Sequence, residues 1–283
     1  MKILIKVLII IWKIIKGIFL TYAVLFSVTL TAFIVYTALY VSKPFLAVKK
    51  LKTENPVQTL YMKTYRHGLH TSKQNDTLMH SFVSLDSIPS VLIKAVIAAE
   101  DDGFYTHPGF DLVAIIGAYE YNREKNGMRR GASTITQQLA KNLFAGGEKK
   151  YTRKYVELAY TVLLENVLGK DRILELYLNY AQWGKNIFGC EAASQYYYKI
   201  PCKSLTFDQA VRLAAILAKP CKSNPHNENS IFINKRMRVI GDNLYRRHTI
   251  DDSTYVKVAK TDSLIRLLQQ KNPDTLSARA DSL

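Results

Sequence analysis

Acid is scarce in this chain. Its 23 Asp and Glu face 39 Lys and Arg, which leaves a formal charge of +16 over 283 residues. Such an excess suits an anionic membrane surface, a phosphate-bearing lipid or nucleic acid, and charge alone does not choose among them. Cysteine is scarcer still. Cys190, Cys202 and Cys221 form an odd, widely spaced set with no C-x-x-C pair, which argues against both a zinc site and a disulfide framework. They read as buried or idle thiols, with one disulfide left open if the domain lies outside the cytosol. No internal repeat or low-complexity run is present, and no nucleic-acid reader motif accompanies the positive charge. The length leaves no room for two large catalytic domains; it fits an anchor plus one domain of about 150–200 residues.

Charge is absent altogether from Gly17 to Val41. Ile18 to Val41 is 24 residues, long enough to span a bilayer with some tilt. Lys2, Lys6, Lys13 and Lys16 precede it, and Tyr36, Leu39 and Tyr40 stand where a signal peptide would carry its small-residue cleavage site. The stretch reads as an uncleaved signal anchor with its N-terminus in the cytoplasm. Lys43, Lys49, Lys50 and Lys52 on the far side weaken the charge asymmetry, but they introduce a long domain, whose charges count less toward orientation. Met1 to Lys16 either extends the same helix or lies along the interface.

From Pro44 to His80 the chain is polar and mixed, with short candidate strands such as Gln58 to Met62. Beyond it the periodicity is helical over 87–101, 111–123, 134–144, 152–168, 170–180, 189–197, 206–218 and 231–247. Asp251 to Leu268 has the pattern of one more amphipathic helix, and the polar tail after it suits disorder.

Two polar motifs interrupt this apolar scaffold. Glu100-Asp101-Asp102-Gly103-Phe104-Tyr105-Thr106-His107-Pro108-Gly109 closes the mostly apolar run Val91 to Ala99. A carboxylate held against apolar surface has a raised pKa, which suits acid/base work near neutrality, and Asp101 and Asp102 would push Glu100 the same way. Phe104 and His107 read as shaping the turn, and Gly109 as permitting it after Pro108. Gly131-Ala132-Ser133-Thr134-Ile135-Thr136-Gln137-Gln138-Leu139-Ala140-Lys141-Asn142 enters a helix for which Ser133 is the expected cap. Thr134, Gln138 and Lys141 share one face of that helix, and donors of that kind suit a pyrophosphate. Arg153-Lys154-x-x-Glu157 opens the next helix with a carboxylate beside two cations, which in isolation is an ordinary surface ion pair. Asp111 to Arg130 runs from apolar residues into Arg123, Lys125, Arg129 and Arg130, a pattern that fits a membrane-dipping element beside lipid phosphate as well as a core helix with a basic end.

The ordered patterns E-D-x-x-F-x-x-H-x-G and G-x-S-T-I-T-Q-Q-x-x-K-N resemble the signature of the family 51 glycosyltransferases, the peptidoglycan glycosyltransferases that polymerise lipid II. R-K-x-x-E, Lys170 to Asn179 and Leu213 to Pro220 resemble that family's remaining motifs in order, so the resemblance runs from about Leu85 to Asn224. Gln209 stands where the last motif usually has Glu, and the wording around Trp183 and Lys185 to Cys190 also departs slightly. The resemblance implies a mainly α fold: a lysozyme-like head with a small membrane-associated jaw lobe, preceded by the transmembrane helix. Together with the hydropathy and composition, it divides the chain into 1–45, N-terminus and anchor; 46–84, a linker with some β character; 85–248, the glycosyltransferase domain; and 249–283, a C-terminal helix and tail.

It also implies roles. Glu100 is the base and Glu157 the second catalytic acid. Ser133, Thr134, Gln137, Gln138, Lys141, Asn142, Lys149, Arg153 and Lys154 bind substrate, while Asp101, Phe104, His107 and Gly109 support the site. A divalent cation, Mg or Mn, is compatible with Glu157, although no ligand cluster in the sequence demands one. The substrates implied are lipid II and a glycan on undecaprenyl pyrophosphate, on the outer side of a bacterial inner membrane. With no S-x-x-K set of a penicillin-binding domain, cross-linking falls to a partner transpeptidase. A muramidase-type hydrolase and a silent membrane-tethered scaffold are the competing readings. The basic Gln/Lys helix argues against the first, and the full set of acids and cations against the second.

Overall fold

The computed structural model describes residues 2–127, 131–147 and 151–259, and the chain parts at Lys50/Leu51 into two compact units. The first is one helix, α1 (Lys2–Lys50). The N-terminal lysine-bearing segment therefore continues the anchor helix, which runs through Pro44 and past the expected boundary at 45. Within it Ile5–Tyr36 has a mean hydropathy of 2.3 and no buried residue, so it is long and apolar enough to cross a membrane. The hydroxyls of Thr21, Thr29 and Thr31 return to carbonyls four residues back at 2.9, 3.0 and 2.8 Å. That leaves none of these three hydroxyls dependent on water in the apolar stretch.

The second unit is mainly helical. Its first element corrects the linker expectation: Gln58 to Met62 is not a strand but the start of α2 (Leu60–Thr71), whose cap Thr59 accepts from Met62 N at 3.1 Å. Five residues were too short a window to separate the two periods, and Met62 and Leu69, both buried, declare the helix only over its whole length. The β character lies further on, in β1 (Met79–His80). That strand pairs parallel with β3 (Ile187–Phe188), which pairs antiparallel with β2 (Gln182–Gly184) across a bulge.

The core is built from α3 (Ser90–Glu100), α7 (Lys170–Tyr180), α9 (Phe207–Ile216) and α10 (Ile231–Arg246). Alanines 210, 214 and 215 on α9 are fully buried and let α3 approach closely, with Leu92 and Val96 filling the gap. Trp183, Tyr177, Tyr180 and Phe104 are its largest fully buried side chains. Around this core lie α4 (Leu112–Glu124), α5 (Ile135–Ala140), α6 (Tyr151–Val167), α8 (Cys190–Tyr198) and α11 (Asp252–Ala259). The helix expected over 134–144 is α only to Ala140; Lys141–Ala145 is a π-helical turn ended by Gly146 at φ 70°. A widened turn rotates the side chains that follow, and such turns recur at functional sites.

Cys190 and Cys202 are buried and Cys221 is exposed, all three as thiols. A hydrogen bond between the Cys190 and Cys202 thiols, together with burial, holds Cys190 well above its usual range. The Arg129–Arg130 pair, Lys149 and the chain after Ala259 fall outside the described residues.

Candidate active site

Asp101 locks the two long motifs together. Its Oδ1 meets His107 Nε2 at 2.8 Å, and its Oδ2 accepts from Ile135 N, the first residue of α5, at 2.9 Å. His107 in turn accepts from Gly109 N at 3.1 Å through Nδ1. Gly109 has φ +95°, and a Cβ there would lie 2.8 Å from Thr161 and 2.9 Å from Glu165, so only glycine fits. Phe104 is fully buried beneath this turn, with Lys170 Nζ 4.6 Å from its ring centroid. Burial raises the Asp101 pKa, against the opposing bonds from His107 and Ile135.

The start of α5 differs from the sequence expectation. Thr134, not the exposed Ser133, is the cap, and it forms a reciprocal box with Gln137. The Thr134 hydroxyl also donates to Gly109 O at 2.7 Å. Both side chains are buried and bonded within the protein, so Thr134 does not present its hydroxyl on the outward donor face expected of it, and the Asp101 carboxylate satisfies the first amide of the helix. Asp101 became visible in that capping role only once the two motifs were folded against each other.

Gln138 also points inward. Its Nε2 donates to Glu100 Oε2 at 3.0 Å, and its Oε1 accepts from the Tyr177 hydroxyl at 3.1 Å. Arg236 from α10 donates to Glu100 Oε1 at 2.7 Å and to Ala99 O at 2.9 Å. Burial is the dominant influence on Glu100 and raises its pKa; Arg236, Gln138 and Lys141 oppose it. The expected push from Asp101 and Asp102 does not rank with these influences: Asp101 is turned to His107 and Ile135, and Asp102 to Arg247 at 2.7 and 3.1 Å.

Glu100, Gln138, Lys141, Asn142, Tyr177 and Gln182 share a cavity of about 300 Å³ with Tyr61 and Pro220 on its rim. Tyr177 belongs to the Lys170–Asn179 motif, whereas Arg236, Gln182 and Tyr61 carry no mark in the sequence, since ordinary helical and strand patterns conceal them. Lys141 is the cation of this cavity. Burial lowers its pKa, Glu157 and Glu100 raise it, and Arg153 and Lys154 lower it. One ammonium thus lies within the fields of both glutamates. Glu157, buried on α6, is 3.4 Å from Arg153 Nε and 3.3 Å from Lys154 Nζ. Its buried Oε1 makes no aligned hydrogen bond among the described residues.

Among the described residues no dedicated divalent-cation cage is built, so a cation at Glu157 would take most of its ligands from substrate phosphate and water. Glu157 is already matched by a guanidinium and an ammonium, and among the described residues no three His, Cys, Asp or Glu side chains gather as metal ligands. What the cavity offers is a largely buried carboxylate next to fixed cations, an arrangement for taking a proton at one point and meeting anionic charge at another.

Residues 67–244 match the family described as Transglycosylase. The chain belongs to the transglycosylase family. The biosynthetic peptidoglycan transglycosylase of Paraburkholderia phytofirmans is 42% identical over 186 residues, covering 66% of this chain and 77% of the relative. Those of Burkholderia lata and Burkholderia ambifaria are each 44% identical over 186 residues, covering 66% of this chain and 76% of theirs. The helical unit after Lys50 is the lysozyme-like transglycosylase head, and the residues lining the cavity around Glu100, Tyr61 apart, lie within the matched span.

Proposed function

We propose that this transglycosylase polymerises lipid II into peptidoglycan glycan strands by glycosyl transfer with inversion. The donor is the growing glycan on undecaprenyl pyrophosphate, and the acceptor is the 4-hydroxyl of the lipid II N-acetylglucosamine. Glu100 takes the hydroxyl proton as the oxygen attacks the anomeric carbon and the bond to pyrophosphate breaks. A carboxylate raised by burial is a stronger base than an exposed one, and Gln138 and Arg236 fix its two oxygens. The leaving pyrophosphate gathers negative charge, which Lys141, Arg153 and Lys154 meet, with Lys149 joining them. Glu157 orients those cations. Ser133 and Asn142 contact the substrate from either end of α5, while Thr134 and Gln137 serve it indirectly by capping that helix. The observation that carries this reading is Lys141, which lines the cavity with Glu100 and feels Glu157 as well.

The anchor helix holds the head at a bacterial cytoplasmic membrane, N-terminus inside and catalytic unit outside. Leu112, Val113, Ile116 and Tyr119 of α4 stand 69, 82, 59 and 66% exposed, a face suited to dip into lipid as the jaw. A separate transpeptidase cross-links the product. Incubating labelled lipid II with detergent-purified protein tests the reaction: glycan strands are expected from the native chain and none from Glu100→Gln. Strands from both would move the base elsewhere. Cleavage of preformed glycan without synthesis would replace the transferase with a hydrolase.

A further inference from the structure

A second cleft, of about 440 Å³, opens beside the catalytic cavity and shares Pro220 with it. The two are joined by a hydrogen bond as well as a wall: Gln182 of the catalytic cavity donates to Cys221 Sγ of the second cleft at 3.2 Å. Three segments build the cleft. The β2–β3 turn supplies exposed Lys185, the end of α8 supplies Tyr196, Tyr197 and Lys199, and the chain after Pro220 supplies Ser223 and Asn224.

Its walls are fixed in place. The Tyr197 hydroxyl donates to Trp183 O at 3.4 Å, and His226 Nε2 pairs with Tyr197 O at 2.8 Å. Tyr196 packs edge-on against Tyr197 at 4.9 Å yet stays 48% exposed. Lys199 ends α8 in the left-handed region at φ 60°; its ammonium donates to Tyr196 O at 3.0 Å and lies 5.5 Å from the Tyr196 ring centroid. The cleft thus combines a presented aromatic face, hydroxyl and amide groups, and two lysines, with no Asp or Glu in its lining. Aromatic faces take the apolar faces of sugar rings, amides and hydroxyls take sugar hydroxyls, and ammonium groups take carboxylates. None of these groups has a part in the transfer at Glu100.

We propose that this cleft is an extended subsite for the growing glycan strand. Tyr196 stacks a sugar unit beyond those at Glu100, and Lys185 and Lys199 meet carboxylates on the peptide substituents of the strand. The inference rests on the polymerase reading and gives it directionality: a strand that leaves the catalytic cavity past Pro220 stays bound between transfers. Tethering of that kind raises the local concentration of the strand end at Glu100 and acts only once a strand is long enough to reach the cleft. The first coupling of two lipid II molecules leaves nothing to tether, so it serves as the internal reference.

Tyr196→Ala, Lys185→Gln and the double variant, all at exposed positions, are compared with the native chain on labelled lipid II. Both the first coupling rate and the strand-length distribution are read on gels. Mean strand length is expected to fall about threefold or more relative to first coupling, with Tyr196→Phe restoring it. Unchanged strand length in the double variant would overturn the subsite while leaving polymerisation intact. A parallel loss of first coupling and length would also overturn it, because the cleft would then act through the catalytic cavity. Failure of the native chain to make any strand would count against the polymerase reading itself, and binding of soluble glycan oligomers to native and Tyr196→Ala protein would then decide the cleft separately: equal affinity would refute it.

Discussion

Glu157 is a buried acid and Glu100 a largely buried one, yet their surroundings have little in common. Glu100 ends an apolar helix, and its partners come from elsewhere in the chain: Gln138 from α5 and Arg236 from α10. Glu157 sits within a helix, and its two cations, Arg153 and Lys154, come from the preceding turn of that helix. The first arrangement needs the whole fold, and burial outweighs its cationic neighbours, so the carboxyl is raised and basic. The second arrangement is local and organises positive charge. Lys141 is the link between them. The difference teaches that a carboxyl raised by burial, as the proposed base requires, is made by long-range packing, whereas an acid that gathers cations can be written into a single helical turn.

The largest expected effect separates these roles directly. Glu100→Gln should lower polymerisation by about 10²–10⁴-fold, the usual worth of a general base. Glu157→Gln should cost less and leave the acid limb of the pH–rate profile in place. Equal losses, or loss of the limb in the Glu157 variant, would break the comparison. Stability should respond too. Because burial raises the Glu100 pKa, the folded state holds this proton more tightly than the unfolded chain does. The stability it contributes is fully present below the unfolded carboxylate pKa and is lost as pH rises through the raised value. The Tm of Glu100→Gln should therefore gain on the native Tm as pH rises from acid to neutral.

Arg236 sharpens the same point. It opposes the raised pKa of Glu100, so Arg236→Gln should move the acid limb to higher pH, and a limb that stays put would remove Arg236 from the account. Next comes Gly109→Ala, which places a Cβ against Thr161 and Glu165 at a left-handed φ. A cost of about 1–3 kcal/mol is expected, read by denaturant unfolding. Activity should fall with it, since this turn receives the Thr134 hydroxyl and so positions the helix leading to Lys141.

Much of this was legible in the sequence, and what was not has a physical pattern. The helices of the head follow from apolar periodicity, because α3, α7, α9 and α10 each bury a continuous face. Glu100 and the Arg153–Glu157 cluster were legible through motif wording. Arg236 was not, because a helical arginine carries no mark of the carboxylate it meets across the fold. The π turn at Lys141 was hidden because helical periodicity assumes a constant turn. Thr134 took the capping place given to Ser133, and Asp101 satisfies the next amide, since capping depends on which side chain reaches the first amides.

The smallest predicted effect tests whether adjacent acids help to make the base. Asp102 neighbours Glu100 in sequence, and like-charge repulsion from it is expected there to add to burial in raising the Glu100 pKa. In the fold Asp102 turns away and forms an exposed two-point pair with Arg247 at 2.7 and 3.1 Å. An exposed pair of that kind contributes about 0–1 kcal/mol, because water and salt already screen both charges. Asp102→Asn should therefore change the unfolding free energy by no more than that, and by less still in high salt. The acid limb of the pH–rate profile should not move, since burial is the dominant influence on Glu100 and Asp102 is turned to Arg247. A limb shifted to lower pH by Asp102→Asn would mean that repulsion between neighbouring acids, rather than burial against α5 and α10, sets the basicity of Glu100.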